Sequence, residues 1–305
     1  MERFTSLSAA LIAVALLSAC SAAGEQAANP TLPVTAITPA RVPADLFVSD
    51  LGNRAVEILK NRRWKNIGDI PTGYSTGPDR SWVDKLGNLY VTIPFAKEIN
   101  EYAPGTTTPS FTYSAKMQES ESVATDKHGN VYEGDVTGHF VNEYQSNTNS
   151  VLATCSPGGE VLGVAIDARG DVFLSVYVSS IGEIVECARG LSGCNETVLG
   201  LPVSFPTGMA FDSSGNLLVC DELKSQIDVV APPFTSATST LGSGWLSPFS
   251  VTINKKNTQA YVDDVGNGFV RVLNYPSGTL VATLGSANGL SSLLYGAVDG
   301  QNYVP

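Results

Sequence analysis

The sequence predicts an all-β fold, a six-bladed β-propeller of four-stranded blades closed by the C-terminal strand. Three observations carry it: a phrase repeated at blade spacing, a composition poor in helix formers, and one alternating strand per repeat. The phrase occurs as Asp84–Val91 (DKLGNLYV), Asp126–Tyr132 (DKHGNVY), Asp167–Leu174 (DARGDVFL), Asp212–Val219 (DSSGNLLV) and a divergent Asn254–Val262 (NKKNTQAYV). The first residues of the copies lie 42, 41, 45 and 42 positions apart, the period of a blade built from short strands. Each copy reads as a hairpin: an apolar strand ends at Asp, Gly supplies the left-handed turn position, and a second apolar strand follows. Charged residues are 15% of the 305, with 29 Gly and 17 Pro, which suits short strands and tight turns better than long amphipathic helices.

Taken in order, residues 1–19 read as an export signal, with Arg3 at its start and an apolar stretch from Leu7 to Leu17 too short to anchor in a bilayer. It ends in Leu17-Ser18-Ala19-Cys20, which resembles the lipobox of bacterial lipoproteins. The resemblance implies lipidation of Cys20, cleavage before it and attachment to a membrane of the cell envelope, at the outer membrane or cell surface. An ordinary signal peptide with Cys20 near the cut is the alternative. Residues 20–43 then form a lipidated Cys and a Pro- and Ala-rich tether, and 44–305 the propeller.

Within the propeller the third strands align: Arg54–Leu59, Ala96–Tyr102, His139–Tyr144, Gly182–Cys187, Ser225–Val230 and Gly268–Leu273. Their alternation marks strands with one buried face. Second strands number six, beginning with Asp45–Ser49, and no first strand precedes that copy. Tyr295–Asp299 looks like a first strand with little after it. The last strand is therefore expected to complete the first blade, which removes an exposed sheet edge.

The net charge of −11 excludes nucleic acid, whose phosphates need clustered Lys and Arg. Four cysteines follow Cys20. Cys187 and Cys194 flank a six-residue loop and are the expected disulfide, while Cys155 and Cys220 are expected as buried apolar residues.

Phe205–Asp221 (FPTGMAFDSSGNLLVCD) and Val48–Leu59 (VSDLGNRAVEIL) resemble NHL-type repeats, and the similarity covers the chain after the tether. That superfamily holds binding scaffolds and enzymes alike, so it implies fold more than function. The related gluconolactonase-like propellers hold a divalent cation at the channel, with an Asp five residues before a first-strand Asp. Here Pro78-Asp79-Arg80 before Asp84 matches that position, with Arg in place of Gly. The resemblance thus implies Asp79 and Glu121 as ligands for one Ca or Mg ion.

In a propeller, the loops entering the first strands crowd around the channel. The positions five residues before each first-strand Asp or its equivalent are Asp79, Glu121, Leu162, Thr207, Phe249 and Leu294. The next positions include Arg80 and Tyr295. Asp79, Arg80, Glu121, Thr207, Phe249 and Tyr295 are therefore the ligand-binding candidates: acidic on one side, aromatic on the other, as in many small-molecule pockets. A plain channel plug would use the same residues.

No catalytic set is legible. The two histidines, His128 and His139, fall in a turn and at a strand start, and no G-x-S-x-G occurs. The Asp series ending the second strands (Asp50, Asp135, Asp221, Asp264) reads as turn caps. Three functions remain: a lipid-anchored extracytoplasmic scaffold that binds a protein, peptide or glycan without a cofactor, a metal-dependent lactonase or esterase at the channel, or a purely structural surface-layer or envelope component.

Overall fold

The computed structural model describes residues 45–60, 63–73 and 77–300; the expected signal peptide, Cys20 and tether lie outside them. Blade 1 contains β1 (Leu46–Asp50), β2 (Ala55–Lys60) and β3 (Lys65–Pro71), and blade 2 β4 (Ser81–Val83), β5 (Leu89–Ile93), β6 (Glu98–Tyr102) and β7 (Phe111–Tyr113). Blade 3 is β8 (Ser120–Thr125), β9 (Val131–Asp135), β10 (Phe140–Tyr144) and β11 (Val151–Cys155). Blade 4 is β12 (Glu160–Ile166), β13 (Val172–Val178), β14 (Ile181–Cys187) and β15 (Glu196–Leu199). Blade 5 is β16 (Pro206–Phe211), β17 (Leu217–Asp221), β18 (Gln226–Val230) and β19 (Ser239–Thr240). Blade 6 is β20 (Pro248–Ile253), β21 (Gln259–Asp264), β22 (Phe269–Asn274) and β23 (Leu280–Leu284). The last strand, β24 (Leu294–Asp299), pairs with β1 and completes blade 1 in the order β24-β1-β2-β3. The fold is the six-bladed, all-β propeller that the repeat predicts, closed as expected.

The repeated phrase folds as read. Asp84 accepts the backbone N–H groups of Leu86 (2.8 Å) and Asn88 (2.9 Å), and Gly87 takes the left-handed turn position at φ +89°. Asp126, Asp167 and Asp212 each accept the same two turn amides of their own copies. A short carboxylate that satisfies two N–H groups replaces the water they would lose on folding.

The core consists of six apolar clusters, each built from two successive blades. Blade 1 joins blade 6 through Leu46, Val48, Tyr261 and Val272, and joins blade 2 through Val56, Ile58, Val91 and Ile93. Because each sheet buries both faces against neighbours, closing the ring removes the last pair of open faces.

The expected Cys187–Cys194 disulfide is not formed. Cys194 is bonded to Cys155, with 5.5 Å between their Cα atoms, inside the usual range for a disulfide. The register explains the difference: in the β14–β15 ladder Cys187 faces Glu196, not Cys194. Cys187 turns into the core between blades 3 and 4, and the loop after it carries Cys194 to Cys155 at the end of blade 3's outer strand. Cys155, expected as a free apolar residue, is thus bonded, while Cys220 is free and buried as expected.

Candidate functional site

Each inner strand runs from the channel mouth to the opposite face, and five of the six carry an irregularity near the mouth. Tyr295 is skipped between Leu294 and Gly296 in the ladder to β1, Glu121 between Ser120 and Ser122, Leu162 between Val161 and Gly163, and Phe249 between Pro248 and Ser250. In blade 5 the skip takes in both Thr207 and Gly208. A bulge leaves its extra residue unpaired and re-aims its side chain. In blades 3, 4 and 6 the extra residue is the one five positions before the repeated Asp or its equivalent, and in blade 1 it is Tyr295, four before Asp299.

Arg80 is the centre of the arrangement. Its guanidinium carbon lies 4.2 Å from the centroid of the Phe249 ring, and Phe249 meets Tyr295 edge-on at 5.2 Å. Nη1 reaches so far across that a Cβ built on Gly208 would sit 2.6 Å from it; blade 5 must carry Gly there. The Arg80 side chain is 8% exposed, yet Nε and Nη2 have no hydrogen-bond partner among the described residues. The Asp79 Oδ1 atom stands 3.7 Å from Nε, close enough for charge attraction and too far for a hydrogen bond. Beyond Arg80, Ser122, Gly163, Gly208, Ser250 and Gly296 line a cavity of about 40 Å³ along the channel.

Several carboxyls share this one cation. Burial pushes Asp79 up to about 7; Arg80 opposes the rise, and Glu119 and Asp263 add to it. Burial also raises Glu121 well above the carboxylate range, with Asp79 adding to the rise and Arg80 resisting it. Asp263 is pushed up to about 6 by burial, against a hydrogen bond from Ser250 and the pull of Arg80. Glu222 is raised by burial as well, against Ser247 and Arg80. Buried groups of like charge hold protons that exposed ones would release. Near neutral pH the mouth is thus a buried set of carboxyls, partly protonated, around a guanidinium with free donors.

The structure brings Asp79, Arg80, Glu121, Phe249 and Tyr295 together, as expected. It does not bring Thr207 with them: Thr207 is fully buried, and its carbonyl accepts from the Ser175 hydroxyl at 2.6 Å. Sequence reasoning missed Asp263 and Glu222, which reach the site from strand β21 and the turn after β17. It also missed the bulges. The expected cation finds a poor fit in this donor set. Arg80 already stands among the carboxylates as a fixed cation, and Leu162, Phe249 and Leu294 offer no oxygen. Among the described residues, the trio of acidic, thiol or imidazole side chains close enough to share an ion is Cys155, Cys194 and Glu196, away from the mouth, and two of the three form the disulfide.

Around the mouth, the second-strand Asp series does more than cap its own turn. Asp221 accepts Ser204 N–H (2.8 Å) and Phe205 N–H (3.1 Å) from the loop entering the inner strand, and pairs with Lys224 at 3.1 Å. Asp135, Asp264 and Asp50 grip the equivalent loops through Gln118 and Glu119, Leu246 and Ser247, and Ser291. These carboxylates hold the mouth loops in place. The same face carries a rim of exposed apolar side chains: Phe95, Ile181, Leu223, Leu246, Phe269 and Leu293. On the opposite turn face, Leu86 alone of the exposed large apolar residues appears among the described residues; the others lie on outer strands.

No family model matches the chain, and no curated protein matches it. Solved structures do. A chain from the crystal structure of a nidogen/laminin complex superposes with a TM-score of 0.71 at 16% identity, over 86% of this chain and 100% of that one. A protein of unknown function from Bacteroides caccae, solved at 1.35 Å, superposes with a TM-score of 0.65 at 15% identity, over 84% and 98%. The chain is a six-bladed β-propeller. Identities this low speak for the fold and not for the activity.

Proposed function

We propose that this chain is a lipid-anchored, extracytoplasmic scaffold of NHL-like repeats that docks a protein partner on its channel-mouth face. The observation that carries the reading is the composition of that face. An aromatic and Arg centre (Phe249, Tyr295, Arg80) is ringed by exposed apolar side chains on the turns of several blades. Aromatic and Arg anchors inside an apolar ring are the anatomy of a protein-binding hot spot. Phe249 and Tyr295 are part-exposed at the mouth, and the buried Arg80 guanidinium braces Phe249 from behind. The rim favours a polypeptide over a glycan, since sugars offer hydroxyls where the face offers apolar groups. The matching fold within a nidogen/laminin complex is in keeping with a propeller used in protein assembly. Attachment through Cys20 would keep the domain at the envelope.

The test is site-specific photo-crosslinking of the full chain in the cell that makes it. A photoreactive residue at Phe249 is expected to give one adduct of defined mass, lost when Arg80→Ala is added. The same residue at Val281, on an outer strand, is expected to give none. Equal adducts from both positions, or none from 249, would remove the reading.

A further inference from the structure

A second cavity lies away from the mouth. About 360 Å³ opens between the first turns of blades 3 and 4, on the opposite face, a volume within the range of small-molecule sites. Its lining comes from three blades: Trp82 from blade 2, Lys127, Asn130, Tyr132 and Glu143 from blade 3, and Asp167 and Arg189 from blade 4.

The charges in this lining are not equally available. Asp126 is occupied by His128 N–H (2.8 Å) and Asn130 N–H (2.9 Å), and Asp167 by Arg169 and Asp171 N–H, both at 2.9 Å. Arg169 is likewise committed, to Asp167 at 2.9 Å and Asp171 at 2.8 Å. Glu143 accepts Asn130 Nδ2 at 3.1 Å and keeps further lone pairs. Lys127 and Arg189, by contrast, have side chains without hydrogen bond or ion pair among the described residues. The lining balances in charge, with Asp126, Glu143 and Asp167 against Lys127, Arg169 and Arg189, and the cations left free to pair with a ligand are Lys127 and Arg189.

The Trp82 ring and the backbone that carries Arg189 are fixed in advance, while the Lys127 and Arg189 side chains are exposed. Arg189 is held in the left-handed region at φ +64°, and its backbone N–H donates to Asp171 at 2.7 Å. The loop it sits on is bonded through Cys194 to Cys155 of the neighbouring blade. The Trp82 indole N–H donates to Thr125 Oγ1 at 2.9 Å, which sets the ring. Groups fixed before binding lose less freedom when a ligand arrives.

We propose that this cavity binds a sugar acid, a small uronate. Its carboxylate pairs with Arg189 and Lys127, its ring lies against Trp82, and its hydroxyls donate to the remaining acceptor sites of Glu143. The site is separate from the mouth and does not depend on the docking reading.

Titration calorimetry of the purified chain with D-glucuronate and D-galacturonate tests it, with D-glucose and benzoate as comparison ligands. At least one uronate is expected to bind, and glucose and benzoate each at least tenfold more weakly. Losing a charge-assisted pair should weaken the uronate about tenfold or more in Arg189→Asn, a replacement that tolerates the left-handed backbone. Lys127→Ala should weaken it as well, and Lys256→Ala, on blade 6, should not. No heat from either uronate up to about 10 mM, glucose or benzoate binding as tightly, or an unchanged Arg189→Asn would each overturn the proposal.

Discussion

Replacing Asp79 by Asn tests whether burial or the neighbouring Arg80 governs the acidic side of the mouth. Burial holds the Asp79 carboxyl at about 7 against an ordinary 3.8, even with Arg80 beside it. Such a group stabilises the fold fully below its unfolded pKa, and that contribution is lost as pH rises through the folded value. Ionising it in the folded state costs on the order of 4 kcal/mol; the 14% exposure of the side chain makes this an upper figure. Asn keeps the shape and cannot ionise. Urea denaturation of wild type and Asp79→Asn at pH 4, 6 and 8 should show similar stabilities at pH 4. By pH 8 the gap should open to roughly 2–4 kcal/mol in favour of the variant. A variant less stable than wild type at pH 8 would refute the reasoning, because Asp79 would then be the counterion that Arg80 needs to stay buried.

Other perturbations probe the frame around the mouth. Asp221→Ala leaves two loop N–H groups without their acceptor and removes the ion pair to Lys224, whose ammonium keeps the Pro202 carbonyl, and should cost about 2–4 kcal/mol in denaturant unfolding. Cys155→Ser and Cys194→Ser should each lower stability by about 2–4 kcal/mol with no further loss in the double variant, whereas Cys187→Ser should leave one free thiol fewer and the disulfide intact by thiol titration. Ca²⁺ and Mg²⁺, set against EDTA, should move the melting temperature by less than about 1 °C, since an ion that bound the folded state would raise it. A shift of several degrees abolished by Asp79→Ala would restore the cation reading. Labelled palmitate should enter the chain and be lost in Cys20→Ser.

The fold was legible because the blade is written locally. The Asp, the Gly and the apolar strands of each copy make their hydrogen bonds inside eight residues, so the pattern survives without knowledge of tertiary context. The closing strand was legible for the complementary reason: one copy lacked a first strand and the end of the chain supplied one. The mouth was legible in part. Counting back from the repeated Asp found Glu121, Phe249 and Tyr295 because bulges recur near that position, and Asp79 and Arg80 because the loop of blade 2 enters its inner strand at the equivalent place. Thr207 fell out because the irregularity in blade 5 spans two residues and gives the close approach to Gly208. Asp263 and Glu222 were hidden among residues that sequence reads as strand and turn. Their proximity to Arg80 is set by the ring and not by spacing. The disulfide was misread because loop length speaks for a hairpin pairing, while the register places Glu196 opposite Cys187 and sends Cys194 to the next blade.

The central claim, that a protein covers the mouth face, is tested most directly by hydrogen exchange of the full chain in its native envelope against the purified protein. The amides of the turns at 94–97, 179–182, 222–225 and 265–268 should exchange more slowly in the envelope. Those of the opposite turns at 85–88, 127–130 and 213–216 should exchange alike in both. Equal exchange at the mouth, or protection confined to the opposite turns, would contradict the account.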